Sequence, residues 1–270
     1  MNRMYYTNDL EVRQDVDVFI AGGGPAGCAA AVAAARSGAS VFLAEAQYCL
    51  GGQGTAGMVP GFMQFGDGEN FLAAGIGKEI LERMWELGGT EYCKNKSLSI
   101  KQEALKRAYE ELLIEAGVDF LFGVTLIDVL TEGQTITGCV LNGKSGIFVV
   151  QAKIYIDCTG DADLAYMAGV ECDKGDENGQ MMAGTLCSLW TNIDFARRNG
   201  SDNRNLEKAI EDGVFENPDL HLPGMWKISE NIGGGNIGHT FAVDGTDERS
   251  LTKALVYGRR LCDQYKKYYK

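Results

Sequence analysis

The chain has 270 residues, 45% hydrophobic and 23% charged, a composition that supports one large domain or two smaller ones. Its net charge of -12 argues against binding to nucleic acid or an anionic membrane, because both require clustered basic side chains. The 8 cysteines include no CxxC pair, which argues against zinc and iron–sulfur sites, so we expect no metal. The polar N-terminus and the lack of any run of about 20 apolar residues predict a cytoplasmic protein without a membrane span.

The first predicted elements form a β-loop-α-β unit. The apolar run VDVFIA (residues 16–21) is typical of a buried parallel strand, and Pro25 suits the first turn of the following helix. Gly38 is a helix-stop signal, and SVFLAE (residues 40–45) is predicted to form the second strand. The sequence therefore predicts a parallel sheet built from βαβ units.

The loop of this unit, GGGPAG (residues 22–27), has the glycine spacing of a dinucleotide-binding turn. Gly22 permits the tight turn, Gly24 lets the backbone approach a pyrophosphate, and Gly27 lets the helix pack on the strand. The helix N-terminus adds unpaired N–H groups and a partial positive charge. Glu45 lies near the expected spacing of about 20 residues for the acid that binds ribose hydroxyls, and its charge disfavours a 2′-phosphate. The alternative is a glycine-rich turn in an unrelated α/β protein.

Two further motifs follow strands. GGQGTAG (residues 51–57) is predicted at the carboxyl end of the sheet, where small residues allow the backbone to run beside a flat cofactor. The alternative is a mobile surface loop. DCTGDAD (residues 157–163) ends a strand with a Thr-Gly turn and begins a helix, and its alternative is a simple helix cap. Between the two motifs, Ser99 and Gln102 form a predicted capping box, and the strands before residue 157 indicate a β-meander.

The last hundred residues are predicted to form a separate domain. The boundary is placed between residues 170 and 171, with 1–170 as the first domain and 171–270 as the second. GGGNIGH repeats the glycine spacing at Gly233, but no small-residue helix follows, so the prediction there is a turn before a strand. The histidines are His221 and His239; His239 is a candidate proton donor, and the alternative is an ordinary hydrogen-bonded histidine.

Residues 17–45, 51–59 and 154–165, with the helix after Ser99, resemble the FAD-dependent oxidoreductases of the glutathione reductase-like flavoprotein superfamily. The resemblance is narrower to the fumarate reductase/heterodisulfide reductase-like branch. It implies an α/β fold with an FAD-binding Rossmann-like parallel sheet, a β-meander and an incomplete α+β substrate domain. The residues implied in cofactor binding are, for the pyrophosphate, Gly22, Gly24, Pro25, Ala26 and Gly27; for the adenosine ribose, Glu45; for the ribityl and flavin side, Gly51, Gly52, Gly54 and Thr55; for the adenine, the strand around Leu126; and, closing the site, Thr159, Gly160 and Asp161.

The resemblance also implies a function, which is transfer of hydride or electrons between a small organic substrate and FAD. It assigns no catalytic acid or base. The family returns to the flavin with a later glycine-rich loop, whereas this sequence ends in the helix segment QYKKYYK. An alternative is therefore an FAD-binding subunit or truncated fragment, inactive until a C-terminal half, a partner chain or a second copy completes the flavin site. A further alternative is an NAD-linked dehydrogenase. No pair of redox cysteines follows the glycines. Cys49 lies two residues before Gly51 and is a candidate redox thiol beside the flavin, and the alternative is a small buried hydrophobic residue.

Overall fold

The computed structural model describes residues 4, 7, 9–91, 97–198, 200–217, 219–220 and 224–270. The described residues fall into two compact units, each made of two chain segments. Unit 1 comprises Met1–Gly52 and Tyr109–Cys172, and unit 2 comprises Gln53–Ala108 and Asp173–Lys270. The division into functional domains at residue 170 stays a prediction.

Strands and helices alternate through the first half of the chain, and shorter elements make up most of the second half. In chain order they are β1 (Glu11–Ala21), α1 (Pro25–Arg36), β2 (Val41–Glu45), β3 (Gly61–Phe62), α2 (Ile76–Glu86), β4 (Leu98–Ser99), α3 (Gln102–Ala116), β5 (Asp119–Phe122), β6 (Thr125–Glu132), β7 (Thr135–Gly143), β8 (Gly146–Asp157), α4 (Asp163–Met167), β9 (Ser188–Thr191), α5 (Leu206–Glu211), β10 (Met225–Lys227), β11 (Ile232–Gly235) and α6 (Glu248–Tyr268).

Unit 1 is built on a six-stranded sheet in the order β5-β2-β1-β8-β7-β6. Strand β1 runs parallel to β2 and β8, and β5 runs parallel to β2. All five residues of β2 are buried, as expected of a parallel strand covered on both faces. Strands β6, β7 and β8 form an antiparallel meander. This arrangement confirms the predicted Rossmann-like parallel sheet with a β-meander.

The core of unit 1 lies where the apolar strands meet the meander. Phe19 of β1 stacks on Phe42 of β2 with ring centroids 6.1 Å apart, and both side chains are fully buried. Phe148 and Val150 of β8 belong to the same buried cluster. Because β1, β2 and β8 run parallel, their carboxyl ends lie at one edge of the sheet, where ligands bind in such folds.

The described part of unit 2 contains a three-stranded antiparallel sheet in the order β10-β11-β9 and the two-stranded pair β3–β4. The amphipathic helix α6 buries Leu261 and Tyr265 against Leu206 and Phe215. The rings of Phe215 and Tyr265 meet edge to face with centroids 4.9 Å apart. Unit 2 therefore has its own aromatic core. None of the helices in the described ranges is long and apolar enough to cross a bilayer.

The prediction of a turn before a strand at GGGNIGH (residues 233–239) is wrong, because the glycines form the strand and no strand follows them before α6 among the described residues. Gly233 and Gly235 lie in β11, the central strand of the unit 2 sheet, and the residue between them is buried as well. A Cβ on Gly234 would lie 2.2 Å from the Cβ of Pro60, and one on Gly233 would lie 2.4 Å from the Sδ of Met225. The glycines are therefore needed because neighbouring side chains pack directly on the strand backbone.

The predicted capping box at α3 is also wrong. The helix begins at Gln102, whereas Ser99 lies in β4, three residues earlier, and its hydroxyl donates to the carbonyl of Lys227. The hydroxyl therefore serves a tertiary contact within unit 2 instead of the helix terminus. The side-chain Nε2 of Gln102 is buried and has no partner among the described residues.

Candidate functional site

The loop between β1 and α1 is closed by contacts that leave no room for a side chain at Gly22 or Gly27. Gly22 has φ of +96°, and a Cβ on it would lie 2.3 Å from the carbonyl oxygen of Cys158. A Cβ on Gly27 would lie 1.9 Å from the carbonyl oxygen of Gly22. The turn, the first turn of α1 and the end of β8 are therefore in backbone contact, as the glycine spacing predicts.

Gly24 differs from its two partners because its Cβ position is open. No described atom outside residues 23–25 lies within 4 Å of that position, and Gly24 is the N-cap of α1 with φ of -67°. No described side chain caps the helix, and its first turn carries no acidic residue. Pro25 and Ala26 are exposed there. The N-terminal amides of α1 are thus presented to open space, an arrangement that binds anions.

Glu45 ends β2 beside this loop. Its side chain is buried, with 7% of its surface exposed, and Oε2 accepts a hydrogen bond from the N–H of Gly23 at 2.6 Å. Oε1 accepts from the N–H of Gln47, also at 2.6 Å. The carboxylate is therefore fixed against the glycine loop, and each oxygen retains a lone pair for a further donor.

Gly23 contributes to the site although the sequence analysis assigned it no role. A Cβ on it would lie 2.6 Å from the Cδ2 of Leu50 and 3.1 Å from the Oε2 of Glu45. A side chain at this position would therefore displace the carboxylate. The signal was present in the sequence as the middle residue of three consecutive glycines.

The segment GGQGTAG (residues 51–57) is divided between the two units. Gly51 has φ of +98°, and its N–H donates to the carbonyl of Gly23 at 2.8 Å. A Cβ on Gly52 would lie 3.2 Å from the Cα of Gly24, so these glycines lie against the first loop. Gly54 and Thr55 belong to unit 2, where Thr55 is buried.

The turn after β8 is organised by Asp157. Its Oδ1 accepts hydrogen bonds from the N–H and the hydroxyl of Thr159 at 2.9 and 2.7 Å, and its Oδ2 accepts from the N–H of Ala165 at 2.9 Å. The Thr159 hydroxyl in turn accepts from the N–H of Asp163. Gly160 has φ of +96°, and both it and Asp161 are exposed. Asp157 was not among the predicted site residues; the signal for it is an acid two positions before a Thr-Gly turn.

Asp157→Ala should lower the free energy of unfolding by about 2 kcal/mol, because three hydrogen bonds to one carboxylate are lost together. Urea denaturation measures the change. The matched control is Asp161→Ala, which removes an exposed carboxylate without a hydrogen bond to any described residue and should change the value by less than about 0.5 kcal/mol. Equal stability of the two variants would contradict the role given to Asp157.

The strand predicted to border the adenine is tied to the end of β2. The N–H of Val124 donates to the carbonyl of Glu45, and the N–H of Gly123 donates to the carbonyl of Gln47. Leu126, two residues further on, is half-buried in β6 and packs against the core of unit 1. The structure therefore brings the start of the meander to the same edge of the sheet as Glu45.

The structure assigns a packing role to one of the cysteines near the glycine loop. Burial raises the pKa of Cys28, in the first turns of α1, to about 12, so its thiol stays protonated and acts as a packing group. A redox role for Cys49 stays a prediction.

In unit 2, His239 Nδ1 lies 2.8 Å from Asp219 Oδ2, and the role of His239 as a proton donor also stays a prediction. His221 lies outside the described residues. The described residues contain no group of three or more metal-binding side chains.

Comparisons with known proteins agree with this geometry. Residues 17–270 match the family described as FAD dependent oxidoreductase. The thiamine thiazole synthase of Methanothermobacter thermautotrophicus is 31% identical over 232 residues, which are 82% of this chain and 81% of that protein. A geranylgeranyl bacteriochlorophyll reductase-like protein from Thermoplasma acidophilum has a TM-score of 0.55 at 16% identity, over 90% of this chain and 61% of that one. The flavin-dependent brominase Bmp2 also has a TM-score of 0.55, at 14% identity, over 82% of this chain and 55% of that one.

The two solved structures share the fold with this chain, which spans less than two thirds of the length of either. The family match covers nearly the whole sequence and includes the loop, Glu45 and the turn after β8. On this match, the chain belongs to the FAD dependent oxidoreductase family.

Proposed function

We propose that the chain binds FAD with its pyrophosphate at the N-terminus of α1 and transfers hydride or electrons between the flavin and a small organic substrate. The open space at Gly24 carries the proposal, because it is the place where the backbone amides of a helix terminus are exposed and no side chain intrudes. The proposed pyrophosphate site also includes Gly22, Pro25, Ala26 and Gly27. Such a terminus supplies hydrogen-bond donors and a partial positive charge.

Glu45 supplies the second part of the proposed site. Its carboxylate is fixed by the N–H groups of Gly23 and Gln47 and retains acceptor capacity for the two hydroxyls of an adenosine ribose. Leu126 and the start of β6 would border the adenine. The turn at Thr159, Gly160 and Asp161 would close the site at the end of β8. The ribityl and flavin side would be held by Gly51 and Gly52, and the same role for Gly54 and Thr55 in unit 2 stays a prediction.

The protein and the cofactor would have different roles in the proposed reaction. FAD supplies the redox chemistry when it is bound, and the protein binds it, orients the substrate and excludes competing reactions. No side chain is assigned as catalytic acid or base. Placement in the fumarate reductase/heterodisulfide reductase-like branch and a cytoplasmic location stay predictions.

The visible spectrum of the purified chain tests the proposal. We expect the absorbance of an oxidised flavin, either as purified or after reconstitution with FAD, and its loss on reduction with dithionite. A colourless protein that takes up no FAD at either low or high protein concentration contradicts the proposal. A protein that takes up FAD only at high concentration favours the alternative in which a second copy completes the site, and sedimentation velocity in the same sample distinguishes that outcome.

Glu45→Ala should weaken FAD binding by about 10- to 100-fold, because hydrogen bonds from ribose hydroxyls to a charged acceptor contribute about 1.5–3 kcal/mol. Fluorescence titration of the apoprotein measures the dissociation constant. Glu132→Ala, at the exposed end of β6, is the matched control and should leave FAD binding unchanged. Unchanged FAD affinity in the Glu45 variant, with an unchanged unfolding midpoint, would exclude the ribose assignment.

A second candidate function is thiamine thiazole synthesis, favoured by the 31% identity to a thiamine thiazole synthase over 82% of this chain. The glycine loop and Glu45 would recognise the ADP half of a dinucleotide, and they do not distinguish the two candidates. Complementation of a strain that lacks its thiazole synthase distinguishes them. Growth without added thiazole would favour the second candidate, and absence of growth from an expressed, FAD-loaded protein would favour the first.

A further inference from the structure

Unit 2 contains a groove beside α6, and its lining includes none of the residues assigned to FAD. One wall is the segment 240–243, and the other is the face of α6 between Asp247 and Tyr257. Its cavity volume is about 580 Å³, within the range typical of small-molecule sites. Two backbone hydrogen bonds join Thr240 to Gly184, at 2.8 and 2.9 Å, so the first wall is held in place. We call this feature the α6 groove.

The charged lining of the α6 groove is mainly basic, although the chain carries a net charge of -12. Arg249 and Lys253 are exposed and stand one helical turn apart, and neither forms an ion pair with a described residue. The carboxylate in the lining belongs to Asp247, whose Oδ1 already accepts the N–H of Ser250 as the cap of α6. Two cations without described partners therefore face one carboxylate that is engaged by the backbone.

Two of the three hydroxyl groups in the lining are available as donors, and the third, that of Thr240, donates to the carbonyl of Gly184. The Ser250 hydroxyl oxygen accepts from the N–H of Asp244 at 2.9 Å, and the Tyr257 hydroxyl oxygen accepts from the Nδ2 of Asn217, also at 2.9 Å. Neither hydroxyl donates its own hydrogen to a described residue. A groove with two cations and two hydroxyl donors is complementary to a ligand rich in acceptor oxygens.

The rest of the lining is apolar. Phe241 is 60% exposed, a large fraction for an aromatic side chain beside a cavity. The next residue, Ala242, has φ of +54°, a conformation that costs a non-glycine residue free energy and concentrates at functional sites. Val243 and Ala254 extend the apolar surface. The ligand should therefore have an apolar body next to its anionic group.

From these contacts we propose that the α6 groove binds a small organic carboxylate, with the carboxylate on Arg249 and Lys253 and an aromatic or aliphatic body against Phe241. The proposal goes beyond the proposed redox function and does not depend on FAD being bound. It identifies the chemical class of a second ligand of this chain.

Saturation-transfer NMR on the full chain, with phenylacetate as the probe, tests the proposal. We expect binding with a dissociation constant of about 1 mM or tighter, and no binding of the uncharged isostere phenylacetamide under the same conditions. The double variant Arg249→Gln/Lys253→Gln should weaken phenylacetate binding at least about tenfold, because both charge-assisted contacts are removed.

The matched control is Arg259→Gln/Lys266→Gln, which removes the same charge from exposed positions of α6 outside the groove. It should bind phenylacetate as the unmodified chain does. The variant Phe241→Ala should lose affinity for phenylacetate and keep the same unfolding midpoint. The proposal is overturned if phenylacetate does not bind, if phenylacetamide binds equally well, or if the two double variants lose affinity equally. Because the readout contains no flavin, failure here is distinguishable from failure of the proposed FAD function.

Discussion

Gly27→Ala is expected to lower the free energy of unfolding by about 3 kcal/mol, because the added Cβ would overlap backbone that cannot move independently. The position of that Cβ is 1.9 Å from the carbonyl oxygen of Gly22 and 3.3 Å from the Cβ of Cys158. Relief requires α1 to move away from β1, which opens the core of unit 1. Urea denaturation followed by circular dichroism measures the loss.

The sign of this effect is diagnostic, since alanine is favoured over glycine inside a helix by about 1 kcal/mol. Gly77→Ala in α2 is the matched control, because outside its chain neighbours and the nearby backbone of its own helix the nearest described atom to its Cβ is 3.9 Å away. That variant should be as stable as the unmodified chain or more stable. If Gly27→Ala also raised stability, the close contact between α1 and the loop would be refuted.

Gly24→Ala should separate binding from folding. No described atom outside residues 23–25 lies within 4 Å of the added Cβ, and φ of -67° suits alanine, so the unfolding midpoint should stay unchanged or rise slightly. The same Cβ would occupy the space proposed for the pyrophosphate. FAD affinity should therefore fall at least about 100-fold, equivalent to about 2.7 kcal/mol.

Fluorescence titration with FAD and urea denaturation of the same preparation measure both properties of Gly24→Ala. Gly27→Ala is the informative comparison, because it should lose stability and FAD binding together. A Gly24 variant that binds FAD as tightly as the unmodified chain would place the pyrophosphate elsewhere.

The β1–α1–β2 unit was predictable because its signals are local. Residues 16–21 form an apolar run, Pro25 begins the helix, and the glycine spacing specifies both the positive φ of Gly22 and the close packing of Gly27. Each signal depends on neighbours within a few positions, or on a backbone geometry that only glycine allows. The cofactor roles assigned to these residues stay predictions.

The failures of prediction occurred where distant residues decide the structure. Gly233 and its neighbours form the central strand β11 because Pro60, Met225 and other side chains pack on its backbone, which the local sequence does not reveal. Ser99 serves a contact with Lys227, 128 positions later, instead of capping α3. The sequence analysis missed two site residues, Gly23 and Asp157. Both act through hydrogen bonds or close contacts that exist only in the folded structure.

Calorimetric titration of the apoprotein with FAD, and separately with NAD, tests the proposed function most directly. We predict saturable binding of one FAD per chain, with NAD binding more weakly because it has no flavin or ribityl group to engage Gly51 and Gly52. Tight binding of NAD without binding of FAD would contradict the proposal and would favour an NAD-linked activity at the same glycine loop.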